Sequence, residues 1–334
     1  MLRLPRQVFL KAFLILIAVF VASAHSACAQ LPHSNDAASA QAITACGSKF
    51  DLSIKGDEQQ ISRGLIVNWV NRAADAVCTY YVRYPVPHVS LNVTVRGRIG
   101  VHGGVTYPAD NGARIRISVG SGTTQEQLDH DWMLTHEMIH PAFPYMSETH
   151  HWIEEGIAVY VEPIARVQAG QLAVAEMWQD LVRDMPQGEP EPGDEGMDRT
   201  HSWGRTYWGG AMFCLVADVR IREQTHNRKG LQDALRGIVD AGGNIDEDWT
   251  IERAFTAGDQ ATGTTVLMDL YREWRDKPVR VDLDAVWQKL GIQRKADGAI
   301  ELVSNAPDAS IREAITKPPA MNARHAQLQN SEPQ

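Results

Sequence analysis

The spacing of apolar residues changes twice along this chain, and those changes restrict the folds available to it. Apolar residues recur at alternate positions in His88–Val95 and in Arg114–Val119, with Gly-rich turns such as Gly103-Gly104 between them, which predicts a small sheet of about three strands. Helical spacing predicts one helix before the sheet, near 56–79, and dominates from Thr123 onward. The later helices are expected near 124–140, 151–168, 171–184, 203–225, 230–240, 262–275 and 282–290. The pattern therefore predicts an α+β protein, with a small N-terminal β-sheet packed on a mostly helical body.

The N-terminus has the pattern of a signal peptide spanning 1–29. A basic segment at 3–11 precedes an apolar run at 12–22 that is too short to span a bilayer comfortably. Ala27-Cys28-Ala29 fits a cleavage site that makes Gln30 the first mature residue, and 30–45 then reads as a flexible leader. We expect an exported protein, periplasmic or secreted, with no stable membrane insertion after cleavage. A lipoprotein anchored through the cysteine of this site is the less favoured alternative.

Net charge and cysteine content limit the classes of function that this chain can have. The net charge is −9, and the predicted signal peptide contains basic residues but no acidic ones. Such an acidic chain is a poor ligand for nucleic acid. Export would leave Cys46, Cys78 and Cys214, of which the first two could form a disulfide and the third is expected to be a buried thiol. The absence of a C-x-x-C pair gives no support to thiolate metal sites.

The short segment Met133–Phe143 carries a metal-binding pattern among otherwise uncharged residues. Its sequence MLTHEMIHPAF places His136 and His140 four residues apart, so on a helix both imidazoles can reach one ion. Glu137 points about 100° further round the helix, where it can touch a water without binding the metal. The uncharged neighbours predict a buried helix, and buried histidines need a polar or metal partner. Pro141 is expected to end this helix at His140.

The segment His151–Glu162, HWIEEGIAVYVE, offers a third ligand. A catalytic zinc ion usually has three protein ligands and one open position. Glu155 is the best candidate, and Gly156 beside it would let another helix approach closely. Glu154 is the rival carboxylate, but it points about 100° away from Glu155.

Three further residues could complete the site. Tyr207 opens the segment YWGGAMF and could donate its hydroxyl to a developing oxyanion, although anchoring a helix end is its structural alternative. A metal-binding histidine usually donates its other N–H to a carboxylate or carbonyl, and Glu162 and Asp131 are candidates for that role.

HEMIH, WIEEG and YWGGA follow one another in an order that resembles the signature of the gluzincin zinc metallopeptidases. The resemblance is to the aminopeptidase N-like and glycyl-aminopeptidase-like branches, and it covers residues 90–225. It implies a zincin-type, thermolysin-like catalytic domain, which we place at 46–304, followed by a flexible tail at 305–334. It also implies one Zn²⁺ per chain and specific site residues. These are the zinc ligands His136, His140 and Glu155, the general base Glu137, and the transition-state stabiliser Tyr207.

The resemblance implies hydrolysis of peptide bonds in a peptide or protein substrate by zinc-activated water. Whether cleavage is internal or N-terminal stays open, because no motif of the type that binds a substrate N-terminus is present. The strand Arg114–Gly120 is the candidate edge for pairing with an extended peptide. A non-catalytic envelope binding protein on the same fold is the alternative, suggested by Pro141 and by the 14-residue spacer between His140 and Glu155. A zinc hydrolase with another substrate would share the same site.

Overall fold

The computed structural model of this protein describes residues 39–56 and 61–319. The predicted signal peptide and its cleavage site lie outside the described residues. The elements follow one another as β1 (Ser39–Ala45), β2 (Ser48–Gly56), α1 (Arg63–Tyr81), β3 (His88–Val95), β4 (Val101–Ala109), β5 (Gly112–Val119), α2 (Gln125–Asp129), α3 (Met133–Ile139), α4 (His151–Gln168), α5 (Val174–Asp184), α6 (Gly210–Gln224), α7 (Leu231–Asp240), α8 (Ile251–Thr262), α9 (Val266–Trp274), α10 (Leu283–Leu290), β6 (Ile292–Arg294), β7 (Ile300–Leu302) and α11 (Ala309–Thr316). The protein is thus mixed α and β, with a small N-terminal sheet followed by a helical body, as the sequence predicted.

The main sheet has five strands in the order β1-β2-β3-β5-β4. The three central strands run parallel, and β1 and β4 pair antiparallel at the two edges. The alternation predicted for β3 is present, since Val89, Leu91, Val93 and Val95 are all buried. The parallel strands β2 and β3 are joined through α1, the crossover connection that such strands require.

The sequence predicted about three strands in this block but did not place the one that is β4, and its position corrects the expected edge of the sheet. Gly103 and Gly104 interrupt its apolar pattern, and the pairing register shifts between His102 and Val105. Because β4 covers one side of β5 and β3 covers the other, the strand Arg114–Gly120 has no free edge. The exposed edge next to the helical body is therefore that of β4.

The end of the predicted flexible leader is a strand in the structure. Ser39–Ala45 pairs along its length with β2, and Cys46-Gly47 forms the turn between them with positive φ at both residues. Cys46 forms a disulfide with Cys78 of α1, as suggested from the sequence. A crosslink of this kind typically stabilises a fold by about 2–4 kcal/mol. Cys214 is a buried free cysteine, also as expected.

One predicted helix differs from the observed elements near the site. The single helix expected at 124–140 is divided, since α2 ends at Asp129 and α3 begins at Met133. Asp131 lies between them and accepts hydrogen bonds from the backbone N–H groups of Met133 at 3.2 Å and Leu134 at 3.0 Å. Its carboxylate therefore satisfies the free donors at the start of α3.

Two C-terminal helices were missed because their apolar patterns are weak. Helix α8 is rich in small residues, and it packs on α7 so closely that a Cβ atom on Gly237 would lie 2.1 Å from the side chain of Ala261. Helix α11 lies within the predicted flexible tail, but it buries Ile311 and Ile315 against the body. Over 39–56 and 61–319, no helix has the length and apolarity needed to cross a membrane.

Candidate metal centre

Three side chains from two helices converge beneath the sheet edge. His136 and His140 come from the end of α3, and Glu155 comes from α4, whose predicted bounds agree with the observed ones. One ligand atom from each residue lies within 4.8 Å of the others. Glu155 Oε2 is 3.1 Å from His136 Nε2 and 3.8 Å from His140 Nε2. The structure thus brings together the three residues that the sequence selected as metal ligands.

Pro141 ends the helix without moving His140 out of the site. Helix α3 stops at Ile139, as expected from the proline, and a 3₁₀ turn follows at His140–Ala142. His140 keeps helical backbone angles, with φ −48° and ψ −38°. Its ring centroid is therefore only 5.0 Å from that of His136. The early helix end is compatible with two histidines facing one ion.

The protonation states at this cluster suit a bound cation. Burial lowers the pKa of His140 to about 4, so its ring is neutral near pH 7. Burial alone would raise the pKa of Glu155, but its hydrogen bonds with His136 and His151 outweigh that effect and hold the pKa well below its usual range. Neutral imidazole and ionised carboxylate are the forms that bind Zn²⁺. Two imidazoles and one carboxylate in a buried site fit a catalytic zinc ion.

Glu137 is held in place by a residue of strand β4. Thr106 Oγ1 lies 2.6 Å from Glu137 Oε2 and 2.9 Å from the Glu137 carbonyl oxygen. Gly104 gives the carboxylate its space, because a Cβ atom there would lie 2.6 Å from Glu137 Cγ and Oε1. Burial raises the pKa of Glu137, and the hydrogen bond from Thr106 partly offsets this rise. Sequence reasoning missed Thr106, because the two glycines made its strand look like a turn.

Tyr207 lies on the far side of the cluster, in a π-helical turn at Arg205–Gly209 rather than at a regular helix start. Turns of this kind are frequent at functional sites. Its ring stacks against His136 at a centroid distance of 6.5 Å and against Trp203 at 5.7 Å. Burial, together with the nearby charges of Glu155 and Glu137, raises the pKa of Tyr207 to about 12. Its hydroxyl therefore stays protonated and can act as a hydrogen-bond donor at neutral pH.

Gly156 lets the helix of Glu155 meet the segment of Tyr207. A Cβ atom on Gly156 would lie 2.3 Å from the backbone carbon of Gly210, and one on Gly210 would lie 2.1 Å from the Trp152 carbonyl oxygen. The close helix approach predicted from Gly156 is confirmed, and the neighbour is the start of α6. Two glycines in contact thus place the helix of Glu155 beside the turn of Tyr207.

His151 is a site residue that sequence reasoning did not select. Its Nε2 lies 3.2 Å from Glu155 Oε1, and its Nδ1 lies 3.2 Å from Glu154 Oε2. Hydrogen bonds with Glu154 and then Glu155 raise the pKa of His151 to about 10, so the ring is cationic. Glu154, the rival ligand, instead accepts a hydrogen bond from the Met146 backbone N–H. The signal was the four-residue spacing that puts His151 and Glu155 on one helix face.

Replacing His151 by Ala is expected to weaken zinc binding by about tenfold, the lower end of the usual effect of a residue that orients a ligand. The physical reason is that His151 holds one oxygen of Glu155 while the other faces the two histidines. Competition with a chromophoric zinc chelator measures the affinity. His201→Ala, at an exposed histidine near the motifs, is the matched control. An unchanged affinity in His151→Ala would show that Glu155 needs no such support.

The two residues proposed to support the ligand histidines have other partners. Asp131 binds the start of α3 and the Trp69 indole N–H at 2.9 Å, so it positions the helix and not an imidazole. Glu162 pairs with Arg166 at 3.0 Å, and burial raises its pKa to about 7. His136 Nδ1 is buried without a hydrogen-bond partner among the described residues. The hydrogen bond predicted from this histidine to either carboxylate is therefore not formed.

Two cavities meet at the cluster. The larger, of about 620 Å³, extends toward α5, and the smaller, of about 370 Å³, extends beneath β4. Both are lined by Gly104 and by three residues of the site, His136, Glu137 and Tyr207. The cluster thus has open space on either side.

Comparison with solved structures finds proteins whose fold is similar to that of this chain. An aminopeptidase N family protein from Idiomarina loihiensis is similar with a TM-score of 0.54 at 14% identity, over 77% of this chain and 50% of that one. An M1 zinc metallopeptidase from Deinococcus radiodurans aligns with a TM-score of 0.45 at 13% identity, over 73% of this chain and 52% of its own. This chain spans about half the length of these proteins. The first likeness shows the fold, and no protein-family model or curated protein matched.

Proposed function

We propose that this protein is an exported zinc-dependent peptidase that hydrolyses peptide bonds with water. The observation that carries the proposal is the convergence of His136, His140 and Glu155 at the meeting point of two cavities, with Glu137 and Tyr207 beside them. The likeness in fold to an aminopeptidase N family protein supports it. The signal-peptide pattern supports export, and so does the Cys46–Cys78 disulfide, because such bonds persist in oxidising compartments.

The cation and the chain have separate tasks in this reaction. A bound Zn²⁺ supplies Lewis acidity, which lowers the pKa of water and polarises the scissile carbonyl. Glu137 accepts the proton of the attacking water and passes it to the leaving amine. Burial raises the pKa of this carboxyl, which favours both steps because it moves the pKa toward neutral pH, where a general base works best. Thr106 orients this carboxylate through its 2.6 Å contact.

The remaining groups hold the substrate and the developing charge. Tyr207 donates a hydrogen bond to the oxygen that becomes negative as water adds to the carbonyl. The free edge of β4 runs above the cluster, and Val105, Thr106 and Tyr107 line the smaller cavity. An extended peptide can pair with such an edge and so present one bond to Glu137.

Removal of the metal tests the proposal directly. Elemental analysis of the purified mature protein is expected to find one zinc per chain, and the protein is expected to cleave an unfolded protein substrate. A chelator should abolish cleavage, and added Zn²⁺ should restore it, because water alone is too weak an acid to react at neutral pH. Mass spectrometry of the products would assign internal or N-terminal cleavage. Zinc at full occupancy without any cleavage would instead favour the binding-protein alternative.

A further inference from the structure

The larger cavity has one wall, on α5, whose charged groups have no part in the chemistry described above. Glu176, Asp180 and Asp184 follow one another at four-residue intervals, so they form a row along one side of the helix. All three line the cavity that opens at Glu137 and Tyr207. Met177 and Leu181, both buried, lie beside the row and make the same wall apolar at its base.

This row carries excess negative charge. Arg183 pairs with Asp180 at 2.6 Å and with Asp184 at 2.5 Å, so one guanidinium serves two carboxylates. Glu176 is exposed and has no ion-pair partner within the described part of the chain. The wall therefore has a formal charge of −2 and faces a space connected to the metal centre.

The floor of the cavity adds no net negative charge. Glu162 and Arg166 form a buried pair there, with 3.0 Å between Oε1 and Nη1. Because burial raises the pKa of Glu162 to about 7, this pair carries a charge between 0 and +1 near neutral pH, and the excess negative charge of the cavity outside the metal centre is that of α5. The most favourable position for a cation is thus along this wall and not at the floor.

Exposed indole rings at the mouth of the larger cavity also favour a cationic ligand. Trp132 and Trp203 line the cavity and are 50% and 61% exposed, unusually high values for such large apolar side chains. Trp203 stacks on Tyr207, which fixes the plane of its ring. The faces of indole rings attract ammonium and guanidinium groups. Carboxylates and aromatic faces therefore both complement a cation within one cavity.

We infer that this cavity is the specificity subsite for a long basic side chain, Lys or Arg, on the substrate residue next to the cleaved bond. The inference rests on the proposed peptidase function. The methylene groups of such a side chain would pack on Met177 and Leu181, and its charge would reach Glu176 and Asp180. An acidic side chain would meet the same carboxylates and be repelled, and a short one would leave most of the 620 Å³ unfilled.

Cleavage-site profiling with a peptide library tests the inference. Mass spectrometry should find Lys or Arg enriched at one of the two positions flanking the cleaved bonds. In the double variant Glu176→Gln/Asp180→Asn, the ratio of kcat/KM for an Arg peptide to that for its Leu counterpart should fall about tenfold. Asp284→Asn removes an exposed carboxylate from α10, which lines neither of the two cavities at the centre, and it should leave the ratio unchanged.

Binding provides a readout that does not need turnover. The Glu137→Gln variant can be titrated with acetyl-Ala-Ala-Arg-Ala-Ala-amide and with its Leu and Glu counterparts, followed by tryptophan fluorescence. The Arg peptide should bind tightest and should lose this advantage when Glu176→Gln/Asp180→Asn is added. Cleavage without a basic preference, or a preference that survives the double variant, overturns the subsite and leaves the peptidase proposal intact. If zinc-loaded protein cleaves no peptide, the peptidase proposal is overturned. The binding titration still tests whether the cavity prefers a basic side chain.

Discussion

Replacing Glu137 by Gln is expected to reduce peptide cleavage by about a thousandfold and to leave zinc content at the wild-type level. The amide keeps the shape of the side chain and its contact with Thr106, but it cannot accept a proton from water. General acid–base groups typically contribute factors of about 10² to 10⁴, and Glu137 would act in both proton transfers. Steady-state assays with a fluorogenic peptide measure the loss, and elemental analysis measures the metal.

The stability of this variant separates chemistry from folding. Burial raises the pKa of Glu137, so its ionised form is less favourable in the folded protein than in the unfolded chain. A neutral amide at this position therefore should not lower the melting temperature at pH 7. Glu126→Gln, at an exposed carboxylate of α2, is the control and should behave as wild type. Activity retained in Glu137→Gln would exclude this residue as the base.

Residues whose roles follow from helix periodicity could be predicted from the sequence. His136 and His140 share a face because they are four positions apart, and Glu155 lies on a helix whose apolar stripe was plain. Gly156 also predicted a close helix contact, because a helical residue without a side chain leaves room for another backbone. These inferences needed only local geometry.

The missed residues depend on contacts between distant parts of the chain. Thr106 is 31 positions from Glu137, and its strand was hidden by Gly103 and Gly104, of which Gly104 leaves room for that carboxylate. The feature that erased the strand pattern is therefore itself part of the site. The sequence analysis also assigned the free edge of the sheet to β5 instead of β4. Strand order depends on the whole fold and cannot be derived from local patterns. His151 differs, since its signal was the local four-residue spacing from Glu155.

Replacing Glu155 by Ala is expected to remove zinc from the purified protein and to abolish cleavage. Two histidines would remain, and a catalytic zinc site usually needs three protein ligands. The substitution also leaves His136 and His151 without their shared carboxylate, so the imidazoles lose the group that orients them. Elemental analysis after dialysis measures the metal, and far-UV circular dichroism shows whether the helices persist.

The neighbouring carboxylate supplies the matched control for this ligand. Glu154→Ala removes the same group one position earlier, but Glu154 contacts Met146 and His151 instead of the two ligand histidines. We expect this variant to keep most of its zinc. Zinc lost from Glu154→Ala but kept in Glu155→Ala would reverse the ligand assignment. Together with Glu137→Gln, the Glu154→Ala and Glu155→Ala variants distinguish proton transfer from metal binding within one cluster. Activity lost with the metal retained identifies the proton carrier, and activity lost together with the metal identifies the ligand.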